Sequence, residues 1–370
     1  MKNTFGQSVS VTLFGESHGA MIGAVVDGLA PGIPVDEAFI AQQLSLRRSD
    51  GVTGTARRES DEFTVCSGVY RGMTTGTPLC ILIPNGDTHS ADYDAITRLP
   101  RPGHADYTAQ CKYHGWQDPR GGGHFSGRLT APLVAVGAVA IRALRERGIL
   151  IGTHLLRCGG VEDRRFTPAA EELNTINAMT FAVLDASSGE AMRRAITAAA
   201  AAGDSVGGML ETAVLGLPAG IGEPWFDTVE GVLSHALFSI PAVKGVFFGD
   251  AFFMSDGTGS AYNDAFTVRN GVIATETNHN GGVNGGITNA MPLVFSCTVK
   301  PTPSIYKEQQ TVDLSTKEIA ALQIKGRHDP AIIHRARVVV DSVTALVLCD
   351  LLAQRYGTDW LRGETSWNTD

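Results

Sequence analysis

The chain has 370 residues, of which 43 are glycine, 43% are hydrophobic and 18% are charged. The hydrophobic content is enough for a large core and excludes intrinsic disorder as the main state, and the glycines follow no three-residue period, which excludes a collagen. The formal net charge of −8 argues against a general nucleic-acid-binding protein, because such proteins carry a surplus of basic residues.

The first predicted elements are strands. Val9, Val11 and Leu13 alternate with polar neighbours, which is typical of a sheet with one covered face. Similar apolar runs recur along the chain between turn residues. The predicted strands are residues 9–14, 22–27, 62–69, 78–83, 207–217, 246–253 and 293–299.

Helices are predicted between these strands. Residues 129–147 are apolar almost all round and acquire arginines near the end, which predicts a deeply buried central helix. Three further helices are predicted where Ser or Asp is followed three residues later by Glu. They begin at Ser187, Asp227 and Ser315, and the first two end at Gly203 and before Pro241. Strands and helices do not alternate regularly, so we predict an α+β fold with antiparallel sheets packed on helices.

Membrane and secretion signals are not evident in the sequence. The longest uncharged apolar stretch, residues 129–141, is far shorter than the roughly 18 residues that a membrane span needs. The first 14 residues lack a signal-peptide core. Six cysteines without a CxxC pair favour free thiols in a reducing compartment. We therefore expect a cytoplasmic protein with no membrane or nucleic-acid partner.

The first motif that points to chemistry is Gly15-Glu16-Ser17-His18-Gly19. It matches the G-x-S-x-G elbow of α/β-hydrolases, in which the serine lies on a turn from a strand into a helix. Here residues 22–27 predict a second strand, which argues against a serine hydrolase. The residues leave two alternatives: a plain turn, or a turn whose hydroxyl, imidazole and backbone N–H groups face an anion.

Two further segments place arginine and histidine in turns. Residues 101–106 (RPGHAD) hold Arg101 and His104 in a loop that proline and glycine restrain. Residues 120–128 (RGGGHFSGR) lead into the predicted central helix, where glycines let the backbone approach a ligand and the helix N-terminus adds partial positive charge. Taken singly, each segment is also compatible with an ordinary surface loop.

Three loops in the C-terminal half complete the set: residues 281–286 (GGVNGG), 300–304 (KPTPS) and 326–330 (GRHDP). The chain contains no G-x-G-x-x-G, no Gly-Lys dipeptide and no H-E-x-x-H, so Rossmann, P-loop and zincin fingerprints are missing, and we expect no metal site. Arginine and histidine in such loops would bind a polyanion, and histidine can protonate a leaving phosphate near neutral pH.

These segments together resemble a known family. Residues 15–32 (GESHGAMIGAVVDGLAPG), 123–139 (GHFSGRLTAPLVAVGAV) and 327–343 (RHDPAIIHRARVVVDSV) resemble the three signatures of chorismate synthase. The blocks at 101–106, 281–287 and 300–304 resemble further family blocks in the same order. The resemblance runs from residue 6 to about residue 352, nearly the whole chain.

The resemblance implies a lyase of the shikimate pathway, which serves aromatic amino acid biosynthesis. Its reaction is an anti-1,4-elimination of phosphate from 5-enolpyruvylshikimate-3-phosphate to give chorismate, with reduced FMN required and no net redox change. The implied fold is a single-domain β-α-β sandwich over residues 1–370, with antiparallel sheets around central helices and a short polar tail at 363–370. The implied assembly is a homotetramer.

The resemblance also implies roles for individual residues. His18 would protonate the departing phosphate, His104 would lie beside the reduced flavin, and Asp329 would help to take the proton through flavin N5. Ser17 and Ser126 would tune these groups. The substrate-binding residues would be Arg47, Arg101, Arg128, Arg327 and His18. The flavin-binding residues would be His124, Phe125, Ser126, Ala242, Gly285, Lys300, Pro301, Thr302, Pro303, Ser304 and Arg327.

The sequence departs from the family pattern at a few positions. A family arginine is missing near Thr53, where Arg57 or Arg58 would substitute or the lid would differ. Asp341 stands where glutamate is usual, which we interpret as a structural change. His124, Phe125 and Pro241 also differ from the common residues, which concerns the details of flavin contact.

The sequence also admits two rival functions, and it bears on how the flavin is reduced. The rivals are a serine hydrolase built on Ser17 and a flavin- or phosphometabolite-binding protein without turnover. Because the chain has no long insertion of the kind associated with an intrinsic NADPH:flavin reductase, we expect an external reductase. NADPH would then act only indirectly, by regenerating reduced flavin.

Overall fold

The computed structural model describes residues 2–48, 61–86, 98–324 and 328–363. The strands are β1 (Thr4–Phe5), β2 (Ser10–Gly15), β3 (Met21–Asp27), β4 (Thr64–Ser67), β5 (Val69–Tyr70), β6 (Met73–Thr74), β7 (Leu79–Pro84), β8 (Leu150–Cys158), β9 (Val161–Glu162), β10 (Gly208–Leu215), β11 (Val243–Phe248), β12 (Phe266–Arg269), β13 (Val272–Thr275), β14 (Val283–Asn284), β15 (Ile287–Thr288), β16 (Leu293–Val299), β17 (Gln309–Val312) and β18 (Ile319–Leu322). The helices are α1 (Glu37–Ser45), α2 (Asp106–Tyr113), α3 (Thr130–Glu146), α4 (Ala170–Asn177), α5 (Ala186–Ala201), α6 (Val229–Leu237), α7 (Ala251–Met254), α8 (Gly259–Tyr262) and α9 (Ile333–Tyr356).

Two antiparallel sheets, each with five strands among the described residues, account for most of the longer strands. The first has the order β1-β2-β3-β7-β4, and the second has the order β11-β16-β10-β8-β9. In the first sheet β2 pairs with β3 from Ser10 opposite Asp27 to Gly15 opposite Ile22. In the second, β10 pairs with both β8 and β16. Antiparallel sheets packed on helices confirm the predicted α+β class.

Two long apolar helices, α3 and α9, lie against these sheets. Helix α3 packs on β3 and β7 of the first sheet and on α9, and α9 packs on β8 and β10 of the second sheet. A Cβ atom at Gly137 would lie 2.4 Å from the Cβ of Ser342, so the absence of a side chain at Gly137 lets the two helices approach this closely. The predicted central helix is confirmed as α3, with its residues buried from Ala131 through Ile141.

The strong apolar character of helix α3 is explained by this packing. The segment Gly127–Glu146 is long and apolar enough to cross a membrane, and among the described residues it alone passes that test. The uncharged stretch considered in the sequence, residues 129–141, is only part of it. Since 89% of its most apolar window is buried inside the fold, packing against other elements already accounts for the hydropathy.

Most predicted strands are confirmed. The predictions at 9–14, 22–27, 78–83, 207–217 and 293–299 correspond to β2, β3, β7, β10 and β16, with small shifts at the ends. The prediction over 62–69 corresponds to two short strands, β4 and β5. The prediction over 246–253 is wrong in its second half, because the chain turns at Gly249 with φ +54° and then forms α7.

Two of the three helices predicted from capping patterns are confirmed, with different capping residues. Helix α5 is capped by Asp185, whose carboxylate accepts a hydrogen bond from the Ser187 N–H at 2.8 Å. Helix α6 is capped by Thr228, whose hydroxyl accepts from the Gly231 N–H, also at 2.8 Å. The true caps lie within two residues of the predicted ones, because neighbouring polar residues can satisfy the same N–H groups.

The helix predicted at Ser315 is wrong. The Asp313 carboxylate accepts hydrogen bonds from the N–H groups of Ser315 at 2.8 Å and Thr316 at 3.2 Å, which turns the chain between β17 and β18. Helix α9 was not predicted. It is buried on nearly every side and begins after Ile332 without a side-chain cap, so neither an amphipathic period nor a capping pattern marks it.

Candidate active site

The turn that carries Ser17 and His18 joins β2 to β3. These two strands are antiparallel neighbours, so the turn leads from a strand into a strand. Both side chains are buried, with exposed fractions of 2% for Ser17 and 8% for His18. This geometry removes the strand-turn-helix context of a hydrolase elbow, and the serine hydrolase hypothesis loses its support.

The glycine-rich segment before α3 brings two histidines to one loop. A Cβ atom at Gly121 would lie 2.2 Å from both Cε1 and Nδ1 of His18 and 2.7 Å from Oγ of Ser17. A Cβ atom at the next residue, Gly122, would lie 3.4 Å from Cε1 of His104. Gly121 and Gly122 also have positive φ values of 59° and 84°, which disfavour other residues. Consecutive glycines therefore contact the imidazoles of His18 and His104.

Two hydrogen bonds hold this loop against the Ser17 turn. The Ser17 N–H donates to the carbonyl oxygen of Gly123 at 3.1 Å. The Nδ1 atom of His124 lies 2.8 Å from the carbonyl oxygen of Gly15 and donates to it. His124 is therefore a structural contact between the first and second signature segments, and Ser126 caps the short turn before α3 by accepting from the Arg128 N–H.

His104 belongs to a charged triad with Arg101 and Asp106. Its Nδ1 atom lies 2.7 Å from Oδ1 of Asp106. The Arg101 guanidinium donates to both oxygens of Asp106 at 2.8 Å. Burial alone would raise the pKa of Asp106, but the hydrogen bonds from Arg101 and His104 hold it well below its usual range. The ionised carboxylate fixes the hydrogen of His104 on Nδ1 and leaves Nε2 toward the glycine loop.

Arg47 and Arg128 meet on the other side of the His18 turn. Asp61 is buried and binds both of them: Arg47 Nη1 lies 3.1 Å from Oδ2, and Arg128 Nη1 contacts Oδ1. Arg128 also donates to Oδ1 of Asn85 at 3.2 Å, and the Asn85 amide donates to the carbonyl of Gly19 at 2.9 Å. Asp61 therefore joins the two guanidinium groups, and Asn85 connects Arg128 to the turn that carries His18.

Asp329 lies close to the arginine cluster. Its Oδ2 atom accepts a hydrogen bond from Nη1 of Arg335 at 2.8 Å. Arg335 also donates through Nε to the backbone oxygen of Arg47 at 2.5 Å. The N-terminal end of α9 therefore connects Asp329 to the loop that carries Arg47.

The segment Lys300–Ser304 packs against the His104 loop. The ammonium of Lys300 donates to the carbonyl of Gly103, and Oγ of Ser304 lies 3.5 Å from Nη1 of Arg101. The backbone N–H of Lys300 donates to the carbonyl of Ala242 at 2.9 Å. These contacts bring Ala242 and the block at 300–304 to the same site as His104.

Some predicted residues are not joined to this group. Nothing among the described residues lies within 4 Å of a Cβ atom built on Gly285, so a side chain there would enter open space and would not contact the histidines. Phe125 is partly exposed and contacts the ring of Tyr113 edge-on, with ring centroids 6.0 Å apart. Arg327, Thr53, Arg57 and Arg58 lie outside the described residues.

The structure also shows site residues that the sequence did not single out. Asp61, Asn85 and Arg335 are far along the chain from the arginines that they bind, and no local pattern marks them. Asp106 follows His104 by two residues, a spacing that could have suggested a carboxylate-histidine pair.

His328 packs on Tyr306, and its pKa is lowered mainly by burial and further by the charge of Arg101.

Comparisons with known proteins show the family of the chain. The family model described as chorismate synthase matches residues 9–353. The chain is 45% identical over 350 residues to the chorismate synthase of Thermococcus gammatolerans, covering 95% of this chain and 97% of the relative. It is 44% identical over 355 residues to that of Chitinophaga pinensis, covering 95% and 98%. A crystal structure of chorismate synthase superposes with a TM-score of 0.76 at 27% identity, covering 96% of this chain and 94% of that one. The chain belongs to the chorismate synthase family.

Proposed function

We propose that this protein eliminates phosphate from 5-enolpyruvylshikimate-3-phosphate in an anti-1,4 reaction that yields chorismate. The observation that carries the proposal is the approach of His18 and His104 to consecutive glycines of one loop. Two imidazoles in one buried site, with arginines nearby, combine a proton donor with groups that bind an anion.

The substrate anions have partners in the arginine cluster. Arg47 and Arg128 are nearly fully buried, and Asp61 binds both of them. Guanidinium groups bind the oxygens of a phosphate or carboxylate with two parallel hydrogen bonds, so this arginine pair is the proposed site for a substrate anion. Arg101 is a further candidate for binding the substrate, although one side of its guanidinium group already binds Asp106. Arg327 is proposed on the family motif alone.

Proton movements are assigned to three side chains. His18, with Ser17 beside it, would donate a proton to the leaving phosphate oxygen. His104, whose Nδ1 hydrogen is held by Asp106, would present Nε2 on the side of the glycine loop as the atom that accepts and returns a proton. Asp329, oriented by Arg335, is the carboxylate proposed to receive the proton lost from the substrate ring. Ser126 supports the loop between these groups.

The residues around Lys300–Ser304 fit reduced FMN. Thr302 Oγ1 and His328 Nε2 are buried and have no hydrogen-bond partner among the described residues, as expected where a polar ligand is received. Lys300, Pro301, Thr302, Pro303 and Ser304 would hold the flavin together with Ala242, Ser126, His124 and Phe125. When bound, reduced FMN supplies an electron transiently, which makes the allylic carbon–oxygen bond easier to break.

We further propose the finer features that the family resemblance implies. The contacts of α3 with the first sheet and of α9 with the second support a β-α-β sandwich formed as one domain over residues 1–370. A homotetramer, a cytoplasmic location and reduction of the flavin by an external reductase complete the proposal. Light scattering of the purified protein tests the tetramer.

An anaerobic assay tests the reaction itself. Purified protein, reduced FMN and 5-enolpyruvylshikimate-3-phosphate should release phosphate and form chorismate in equal amounts, and oxidised FMN should not support the reaction. A folded protein that binds both ligands without releasing phosphate would contradict the proposal and favour the binding protein without turnover.

A further inference from the structure

We propose that Cys66 and Cys80 form a reversible disulfide that joins β4 to β7 at the edge of the first sheet. The proposal concerns one edge of the first sheet, and it does not depend on the reaction proposed above. It assigns a redox-sensitive modification site to two thiols that the described structure leaves reduced.

The strand register places the two cysteines side by side. Val65 is opposite Ile81, and Ser67 is opposite Cys80, so Cys66 is the extra residue of a β-bulge. In such a bulge two residues of one strand oppose a single residue of the other. Cys66 and Ser67 together therefore face Cys80. Directly opposed residues of antiparallel strands have Cβ atoms about 4.5–5.5 Å apart, close to the separation that a disulfide requires.

The environment of the thiols agrees with this placement. Cys66 is exposed and Cys80 is half-buried, whereas their neighbours Leu79 and Ile81 are buried in the core. The pKa of Cys80 is raised by burial and, in addition, by the adjacent thiol of Cys66. The strand register and the burial pattern therefore make the two cysteines neighbours on the face of the sheet that lies away from the core.

The reaction balances with a low-molecular-weight disulfide as the oxidant. The thiolate of Cys66, which solvent reaches first, attacks one sulfur of the oxidant and releases one thiolate. The thiolate of Cys80 then attacks the Cys66 sulfur and displaces the second thiolate. The protons of the two cysteines pass to the released thiolates, so one protein disulfide and two free small thiols result.

The cross-link would restrain strands that serve the arginine cluster. Strand β4 begins three residues after Asp61, and β7 ends at Pro84, whose carbonyl accepts from Arg128 at 3.3 Å. The bond would close a loop of about 15 residues, and by restricting the unfolded chain it should raise the melting temperature by roughly 3–6 °C.

Oxidised glutathione and peptide mapping test the proposal on the full chain. Trypsin separates the two cysteines, because cleavage at Arg58, Arg71 and Arg98 places Cys66 in residues 59–71 and Cys80 in residues 72–98. After treatment with oxidised glutathione, these two peptides should be recovered joined, with a mass loss of about 2 Da for the intact chain. Dithiothreitol should separate them again and reverse the rise in melting temperature.

Matched variants complete the experiment. Cys111→Ser removes another exposed cysteine and should leave the cross-link intact. Cys80→Ser should instead retain a glutathione adduct of about 305 Da on Cys66, because no second thiol resolves it. If the native chain keeps both thiols free, holds a stable adduct on Cys66, or forms cross-links only between chains, the proposal is wrong. Since the native chain itself is mapped, a variant that fails to fold does not affect this conclusion.

Discussion

At the scale of single residues, the site is organised by carboxylates that fix cationic side chains. Asp106 orients His104 and Arg101, and Asp61 holds Arg47 and Arg128 at one position. Both carboxylates are largely buried. Hydrogen bonds to them are electrostatically stronger than in water, because the protein surroundings have a lower dielectric constant. The reactive groups are thereby oriented before any ligand arrives, as efficient catalysis requires.

Replacement of the two site histidines should separate catalysis from folding. His18→Ala and His104→Ala should each lower kcat by about 10²–10⁴-fold, the usual contribution of a general acid or base. His114→Asn is the matched control, because His114 is exposed and its left-handed backbone suits asparagine. Phosphate release under anaerobic conditions measures the effect. Unchanged rates in both alanine variants would remove these histidines from the mechanism.

Gly121 offers a test of the contact between the loop and His18. Gly121→Ala would place a methyl group 2.2 Å from the His18 ring and force one of them to move, so kcat should fall by at least about tenfold. Gly127→Ala lies in the same segment with nothing within 4 Å of its Cβ and should keep near-native activity. Comparison of the two variants by kcat and by melting temperature distinguishes displacement of His18 from general loop damage. Equal activity in both would contradict the proposed contact.

At the scale of elements, the interface of α9 with the second sheet contains a buried ionisable group. The Thr153 hydroxyl of β8 donates to Oδ1 of Asp341 at 2.6 Å, and Arg337 lies 3.6 Å from Oδ2. Burial raises the pKa of Asp341 to about 6 in spite of these partners. Asp341, which we interpreted from the sequence as a structural residue, therefore lies within the core packing of α9.

This group predicts a pH dependence of stability. Because its folded pKa exceeds its ordinary value, the stability associated with the protonated form is fully present below about pH 4 and is lost as pH rises through about 6. A shift of this size corresponds to about 2–3 kcal/mol. Asp341→Asn keeps an acceptor for Thr153 and should remove this component from the curve of unfolding free energy against pH. Identical pH curves for the two proteins, measured by urea denaturation, would contradict the assignment.

At the scale of the whole molecule, the site is assembled from loops that are distant in sequence. The turn between β2 and β3, the loops before α2 and α3, the segment after β16 and the start of α9 all contribute side chains. The surplus of glycine is partly explained by this assembly, because Gly121, Gly122 and Gly123 let three of these segments come into contact.

The flavin supply leads to a prediction at this scale. We expect no intrinsic NADPH:flavin reductase activity, because 350 residues align with a chorismate synthase and cover 95% of this chain and 97% of that relative, which leaves no room for a long insertion within the aligned part. Absorbance at 340 nm should therefore stay constant when the protein is mixed with NADPH and FMN under anaerobic conditions. Addition of a separate flavin reductase is the positive control. NADPH oxidation by the purified protein alone would overturn this expectation.

The elements that could be predicted from the sequence share a clear local signal. Helix α3 is marked by an apolar run that ends in arginines, and β16 by a short apolar run of strand-forming residues. Helix α9 carries no such signal because nearly every side is buried. The turn after Asp313 is the converse case, because a local signal predicted a helix there that does not form. The same kind of polar residues also stabilises a hairpin turn, in which the Asp313 carboxylate accepts hydrogen bonds from two backbone N–H groups.

The sequence by itself determined the chemical composition of the site and its family. The order and identity of the motifs around His18, His104, Ser126 and Asp329 carry that information, since they are properties of the chain alone. Only the tertiary structure decided which groups come together: Asp61 between Arg47 and Arg128, Gly121 against His18, and Cys66 on the strand next to Cys80. Contacts between distant segments depend on sheet register and helix packing, and no local pattern of residues encodes those distances.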